Sequence, residues 1–169
     1  MVQSARLDRD ALRRILEQQL YVITRQQALA VGLTRHGLRH RLRPEGPWRG
    51  VLPGVYIAAT GTATFTQEEM AALLYAGQPS VITGPAALLF HHIGGAPSEF
   101  IDVLVPATRE RGNAAFVRLH RTIRMPVQTG RLGPLRFAPP ARAVADAVRG
   151  MSGNYLRRRH RSVDVPQFG

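Results

Sequence analysis

The chain has 169 residues, is 44% hydrophobic and carries a net charge of +12. This length suits one compact domain or two small ones, with enough apolar content for a core. The absence of Cys excludes disulfides, Cys-based zinc sites and thiol nucleophiles; no run approaches the 18 apolar residues of a membrane span, and MVQSARLDRDALRRIL has no apolar signal-peptide core, so a cytoplasmic protein is expected.

All 23 basic residues are Arg, and their distribution is uneven. Residues 1–50 carry ten Arg against four acids. Residues 51–108 carry four acids and no Arg, and residues 109–169 carry thirteen Arg against three acids. A uniform codon bias would not empty the middle. Two basic segments flank an acidic one, which suggests surfaces with different partners.

Leu12, Ile15, Leu16 and Leu20 recur at helical spacing and predict an amphipathic helix of about Asp8 to Gln19. Val22 and Ile23 lead away from it. Thr24 and Gln27 form the pattern of a capping box, which opens a helix through Ala28, Leu29 and Ala30 that Gly32 closes. Leu33 falls in a turn. Thr34 then caps a third helix of about Arg35 to Leu42, which Pro44 keeps short. On a helical wheel Leu38 and Leu42 share one side, while His36, His40 and Arg43 lie opposite with Arg39 at the edge.

Pro44, Gly46, Pro47, Gly50, Pro53 and Gly54 punctuate the next stretch and predict a tight hairpin. Trp48 and Arg49 are expected near its tip, with Val51, Val55, Tyr56 and Ile57 on its return. Helix, turn, basic helix and hairpin follow the order of a winged helix-turn-helix, in which one helix face holds the scaffold and the other enters the major groove. Arg grips guanine O6 and N7 bidentately, or clamps a phosphate. The candidate DNA-binding set is Thr24, Arg25, Thr34, Arg35, His36, Arg39, His40, Arg43, Trp48 and Arg49. The plain alternatives are that the basic face is solvated surface and that Trp48 is a packing residue.

Residues 59–63 read as a linker. Thr66 with Glu69 is expected to cap a helix through Met70, Leu73, Leu74 and Tyr75, which Gly77 ends. A short strand over Ser80 to Thr83 precedes a helix PAALLFHHI, with Pro85 in its first turn. FIDVLVP (100–106) and AAFVRLHR (114–121) are strand-like and are expected to pair as a hairpin. Leu135 to Ala138 is a further strand. Pro140 opens a last helix with Val144, Ala145 and Val148 on one stripe, and Arg142 and Asp146 are spaced to pair. The tail GNYLRRRHRSVDVPQFG is either one exposed helix after Asn154 or a disordered segment. The fold class expected is α+β: a winged helix-turn-helix over 1–58, a small mixed α/β domain over 64–149 and a basic tail over 150–169.

The blocks ITRQQALAVGLTRHGLRHRLRPEGPWRGVLPGVY, QEEMAALLYAG, ITGPAALLFHHIGG, IDVLVP, FVRLHR and PPARAVADAV, spread over residues 15–149, resemble the AbiEi family of antitoxin-type regulators. The resemblance implies a winged-helix N-terminal domain followed by an α/β domain. It implies repression of the chain's own operon through double-stranded DNA in its own promoter. It also implies an antitoxin role against a nucleotidyltransferase-like toxin in a type IV arrangement, with direct contact not required. Arg35, His36, Arg39, His40 and Arg43 fall where such proteins present their recognition helix, and Arg49 in the wing. The chain departs from the pattern at Thr83-Gly84-Pro85-Ala86-Ala87, where relatives read His-Arg-Ser-Ala-Ala.

The chemical alternative draws on His91, His92, Asp102 and His120. Adjacent histidines on a helix point about 100° apart and do not share a metal as an i, i+4 pair does. No glycine-rich phosphate loop, Lys-containing nuclease pair or Ser-centred elbow is present. No catalytic residues, metal or cofactor are therefore expected. Competing readings are a protein-interaction module, with DNA incidental, and a truncated non-catalytic relative of a winged-helix endonuclease.

Overall fold

The computed structural model describes residues 7–94 and 98–160, the last ten by backbone alone. Among them are six helices and two sheets of a mixed α/β architecture. Helix α1 spans Arg9–Gln18, capped by Asp8, whose carboxylate accepts from the N–H groups of Asp10 and Ala11. Strand β1 (Val22–Thr24) follows, where only a connection was expected. Thr24 then caps α2 (Arg25–Ala30): its hydroxyl accepts from the Gln27 N–H while the Gln27 side chain reaches back to the Thr24 N–H. Thr34 caps α3 (Arg35–Arg41) through the Gly37 N–H at 3.0 Å.

Strands β2 (Arg49–Leu52) and β3 (Val55–Ile57) form the hairpin, and β3 lies between β1 and β2 in an antiparallel sheet. The turn is Pro53–Gly54, with Gly54 at φ 72°, the Pro-Gly pairing suited to a left-handed second turn residue. The hairpin tip is thus Pro53–Gly54. Trp48 and Arg49, expected near the tip, stand at the opposite end, with Arg49 paired to Ile57.

Helix α4 (Phe65–Ala76) is capped by Thr64 and Gln67, two residues earlier than the Thr66–Glu69 box expected. The reason is burial. Glu69 is 3% exposed and faces into the protein, so it is not free to serve a cap. α4 packs against β1, β2 and β3 on one side and against β4, β5 and β8 on the other. A helix between two sheets must be apolar nearly all round, and Met70, Ala71, Ala72, Leu73, Tyr75 and Ala76 are all buried.

The second sheet runs in the order β6-β5-β4-β8-β7, from β4 (Val81–Thr83), β5 (Ile101–Pro106), β6 (Val117–Thr122), β7 (Gly130–Leu132) and β8 (Leu135–Phe137). β5 and β6 pair in parallel, in register from Ile101 opposite Val117 to Pro106 opposite Thr122. The expected hairpin is therefore corrected. Residues 107–116 carry the chain back along the sheet edge, where the Asn113 side chain accepts from the Leu119 N–H at 2.8 Å and Arg121 Nε donates to the Arg109 carbonyl at 2.7 Å. The parallel register puts Val117 and Leu119 beside Ile101 and Val103, in the core that α4 covers. Helices α5 (Gly84–Phe90) and α6 (Pro140–His160) complete the fold. Arg142 Nε pairs with Asp146 at 2.9 Å, and Asp146 also accepts from the Thr83 hydroxyl at 2.7 Å. The backbone of the basic tail continues α6 to His160; residues 161–169 lie outside those described.

One core joins Val22, Leu52, Val55 and Ile57 of the first sheet to α4 and to the second sheet. A smaller one, on the other face of the first sheet, holds Leu12, Ile23, Ala28, Leu33, Leu38 and Trp48.

Candidate nucleic-acid interface

Helix α3 is short and rests on the smaller core. Leu38 is 4% exposed, and Leu42 packs against the same cluster. Leu→Ala at a buried position of this kind typically costs about 2–5 kcal/mol. A Cβ at Gly37 would stand 3.2 Å from the Thr34 hydroxyl and 3.3 Å from Leu33 Cδ1, so its absence lets the first turn of α3 sit close to its cap and to the inter-helix turn.

His36, His40 and Arg43 lie opposite the leucines with Arg39 at the edge, Arg35 stands at the first residue of α3, and all five are exposed. Among the described residues none of the five carries a side-chain hydrogen bond or ion pair. Their donors are left for an external acceptor. Arg39 and His40 lie in the last turn of α3, where positive charge complements the helix dipole. Arg25 is exposed at the start of α2. Thr24 and Thr34 belong to this region through their caps: each hydroxyl already accepts a backbone N–H, and Thr34 is exposed.

Two members of the expected set are placed elsewhere. Trp48 is 7% exposed and packs in the core beneath α3. Its backbone N–H donates to the Arg41 carbonyl at 3.0 Å. It braces the helix and is not available to a duplex. Arg49 is half-buried, and its Nε is buried with no hydrogen-bond partner. It is paired with Ile57, so its side chain leaves the sheet on the α4 side. Even strand parity, unseen in the sequence without the register, turns this Arg inward.

Arg41 was not singled out by the wheel, and it is the one α3 arginine held down. Its guanidinium lies 5.6 Å from the Trp48 ring centroid and donates to the Gly37 carbonyl at 3.3 Å. The only signal in the sequence was Trp48, seven residues on, and its position required the tertiary fold.

The chemical alternative is only partly assembled. His120 Nε2 and Asp102 Oδ1 are 2.6 Å apart on neighbouring strands. His91 turns instead to the Ala138 carbonyl at 2.8 Å. His92 follows α5 in a left-handed conformation, φ 56°. Among the described residues no three His, Cys, Asp or Glu stand close enough to hold a metal ion, and no helix is long and apolar enough to cross a membrane. No known family model matches the chain, and no curated protein matches it significantly.

Proposed function

We propose that this chain is a cytoplasmic DNA-binding transcriptional regulator whose residues 1–58 form a winged helix. In this reading α3 enters the major groove of an operator in the chain's own promoter. The observation that carries it is the division of α3: Leu38 and Leu42 hold it from behind, while Arg35, His36, Arg39, His40 and Arg43 face solvent without partners. The order α1, β1, α2, α3, β2, β3 supports the winged-helix assignment. Arg25 adds a phosphate contact at the start of α2. Trp48 serves as a brace, and Arg49 is not a DNA contact.

The antitoxin role, against a nucleotidyltransferase-like toxin, rests on the resemblance over residues 15–149. Residues 64–149 are its natural seat, and no direct toxin contact is required.

The test is binding of the full chain to a short promoter duplex, followed by fluorescence anisotropy. With about six to ten phosphates contacted, affinity falls roughly 10³–10⁵-fold between about 50 and 200 mM salt. Arg39→Ala or Arg43→Ala costs about 1–3 kcal/mol of binding if the side chain reads a guanine. A flat salt response, or undiminished affinity in both variants, defeats the reading.

A further inference from the structure

Between α2 and the C-terminal end of α4 lies a cleft of about 540 Å³. Its walls are the start of α2, the Pro53–Gly54 turn, the C-terminal end of α4 and the connection that follows β5. Three arginines from two distant segments border it, Arg25, Arg109 and Arg111, and no Asp or Glu does. Glu110, the acid between the last two, borders the neighbouring hollow instead.

Two of the three guanidinium groups are held in place. Arg109 Nη2 donates to the Gln78 carbonyl at 2.6 Å. Arg111 Nη1 donates to the Tyr75 carbonyl at 2.6 Å, and its guanidinium lies 4.6 Å from the Tyr75 ring centroid. Each spends one of five N–H donors on its anchor. The remaining donors are oriented with little rotamer freedom left to lose, which favours binding. Arg25, the third, makes no side-chain hydrogen bond or ion pair among the described residues. Three like charges without a counter-charge repel one another, and an anion seated among them relieves that repulsion. Planar guanidinium forks match phosphate oxygens in pairs. Leu29, Leu74 and Val55 add apolar lining. A volume of several hundred Å³ is that of a cofactor-sized ligand site.

We propose that this cleft binds a phosphorylated small molecule of about nucleotide size. Arg109 and Arg111 grip the phosphate, Arg25 closes over it, and the less polar body of the ligand lies along Leu29 and Leu74. The site shares Arg25 with the proposed duplex surface, but no residue of α3 borders it. A phosphate in the cleft has two sources, a free ligand or a nucleic-acid backbone, and the test separates them.

Isothermal titration of the full chain uses pyrophosphate, ADP, GDP and adenosine as probes. The expected result is saturable binding of at least one phosphorylated probe and none of adenosine. Arg109→Gln/Arg111→Gln lowers that affinity by about tenfold or more, Arg25→Gln lowers it by less, and the remote exposed Arg131→Gln leaves it unchanged. Arg25 anchors nothing in the fold, so Arg25→Gln keeps the test decisive if the double variant does not fold. No binding of any phosphorylated probe, adenosine binding as tightly as ADP, or unchanged affinity in Arg25→Gln and in a folded double variant overturns the proposal. It is also overturned if the double variant weakens duplex binding while ADP affinity stays constant, since the cleft then serves the DNA backbone.

Discussion

Helices α3 and α4 begin alike and meet opposite surroundings. Each opens on a Thr whose hydroxyl accepts the N–H three residues on. α3 then lies on the surface with Leu38 inward and Arg35, His36, Arg39 and His40 exposed, followed by the inward Leu42 and the exposed Arg43. α4 lies between two sheets, and its one inward acid, Glu69, is buried, with its pKa pushed up from the ordinary 4.5 to about 7 by desolvation. A charge on α3 keeps its water and remains available to a partner. A charge on α4 must be neutralised or tolerated at a cost. Arg49 of β2 turns toward α4 from the first sheet, and no ion pair joins it to Glu69 among the described residues. The layer between the first sheet and α4 is held by apolar packing, with the buried Arg49 Nε left without a hydrogen-bond partner.

The contrast is broken most forcefully by a cavity in α4. Leu73 is 4% exposed between the sheets, and Leu73→Ala lowers stability by about 2–5 kcal/mol in chemical denaturation. A loss under about 1 kcal/mol means that α4 is not the central layer.

Glu69→Gln sharpens the electrostatic half of the comparison. The folded pKa of about 7 lies above the unfolded value near 4.5, so the stability linked to this group is complete below about pH 4.5 and is lost as pH rises through 7. Glu69→Gln therefore gains about 3 kcal/mol over the parent at pH 8 and nothing at pH 4. Parallel pH–stability curves for the two proteins rule out a buried, strained carboxylate.

The cap of α4 gives a smaller effect. Thr64→Ala costs about 1 kcal/mol, whereas Thr66→Ala stays within about 0.5 kcal/mol. Reversed magnitudes in thermal melts would restore the later cap. Smallest is Arg41→Ala, which removes a cation–π contact worth about 0.5–1 kcal/mol. It registers in the melting temperature and leaves base preference in duplex binding unaltered; a shift in base preference instead places Arg41 among the readers.

The caps show how far local sequence reaches. Thr24–Gln27 and Thr34 act where the residue spacing placed them, because a cap bond closes within three residues. Thr64–Gln67 and Thr66–Glu69 both satisfy the same pattern, and the choice between them was made by the buried side of α4. The exposed set on α3 was legible for a similar reason: it needs only the helical period and two leucines. Arg49 and Trp48 were not, because the pairing of β2 with β3 decides which face each side chain takes, and that register is irregular between Gly50 and Leu52. The cleft arginines at 109 and 111 looked like a polar loop. They meet Arg25 only because β5 and β6 run parallel and send the connection back past the end of α4.

The sequence alone determined the caps of α2 and α3, the hairpin that follows and the two-sided character of α3, since hydrogen bonds and side-chain periodicities spanning a few residues specify them. The tertiary structure decided which strands pair, that α4 is enclosed by sheets, that Trp48 and Arg49 face inward, and that three distant arginines share one cleft. Those outcomes depend on burying apolar surface between segments far apart in the chain, and local spacing carries no record of which distant surface will be met.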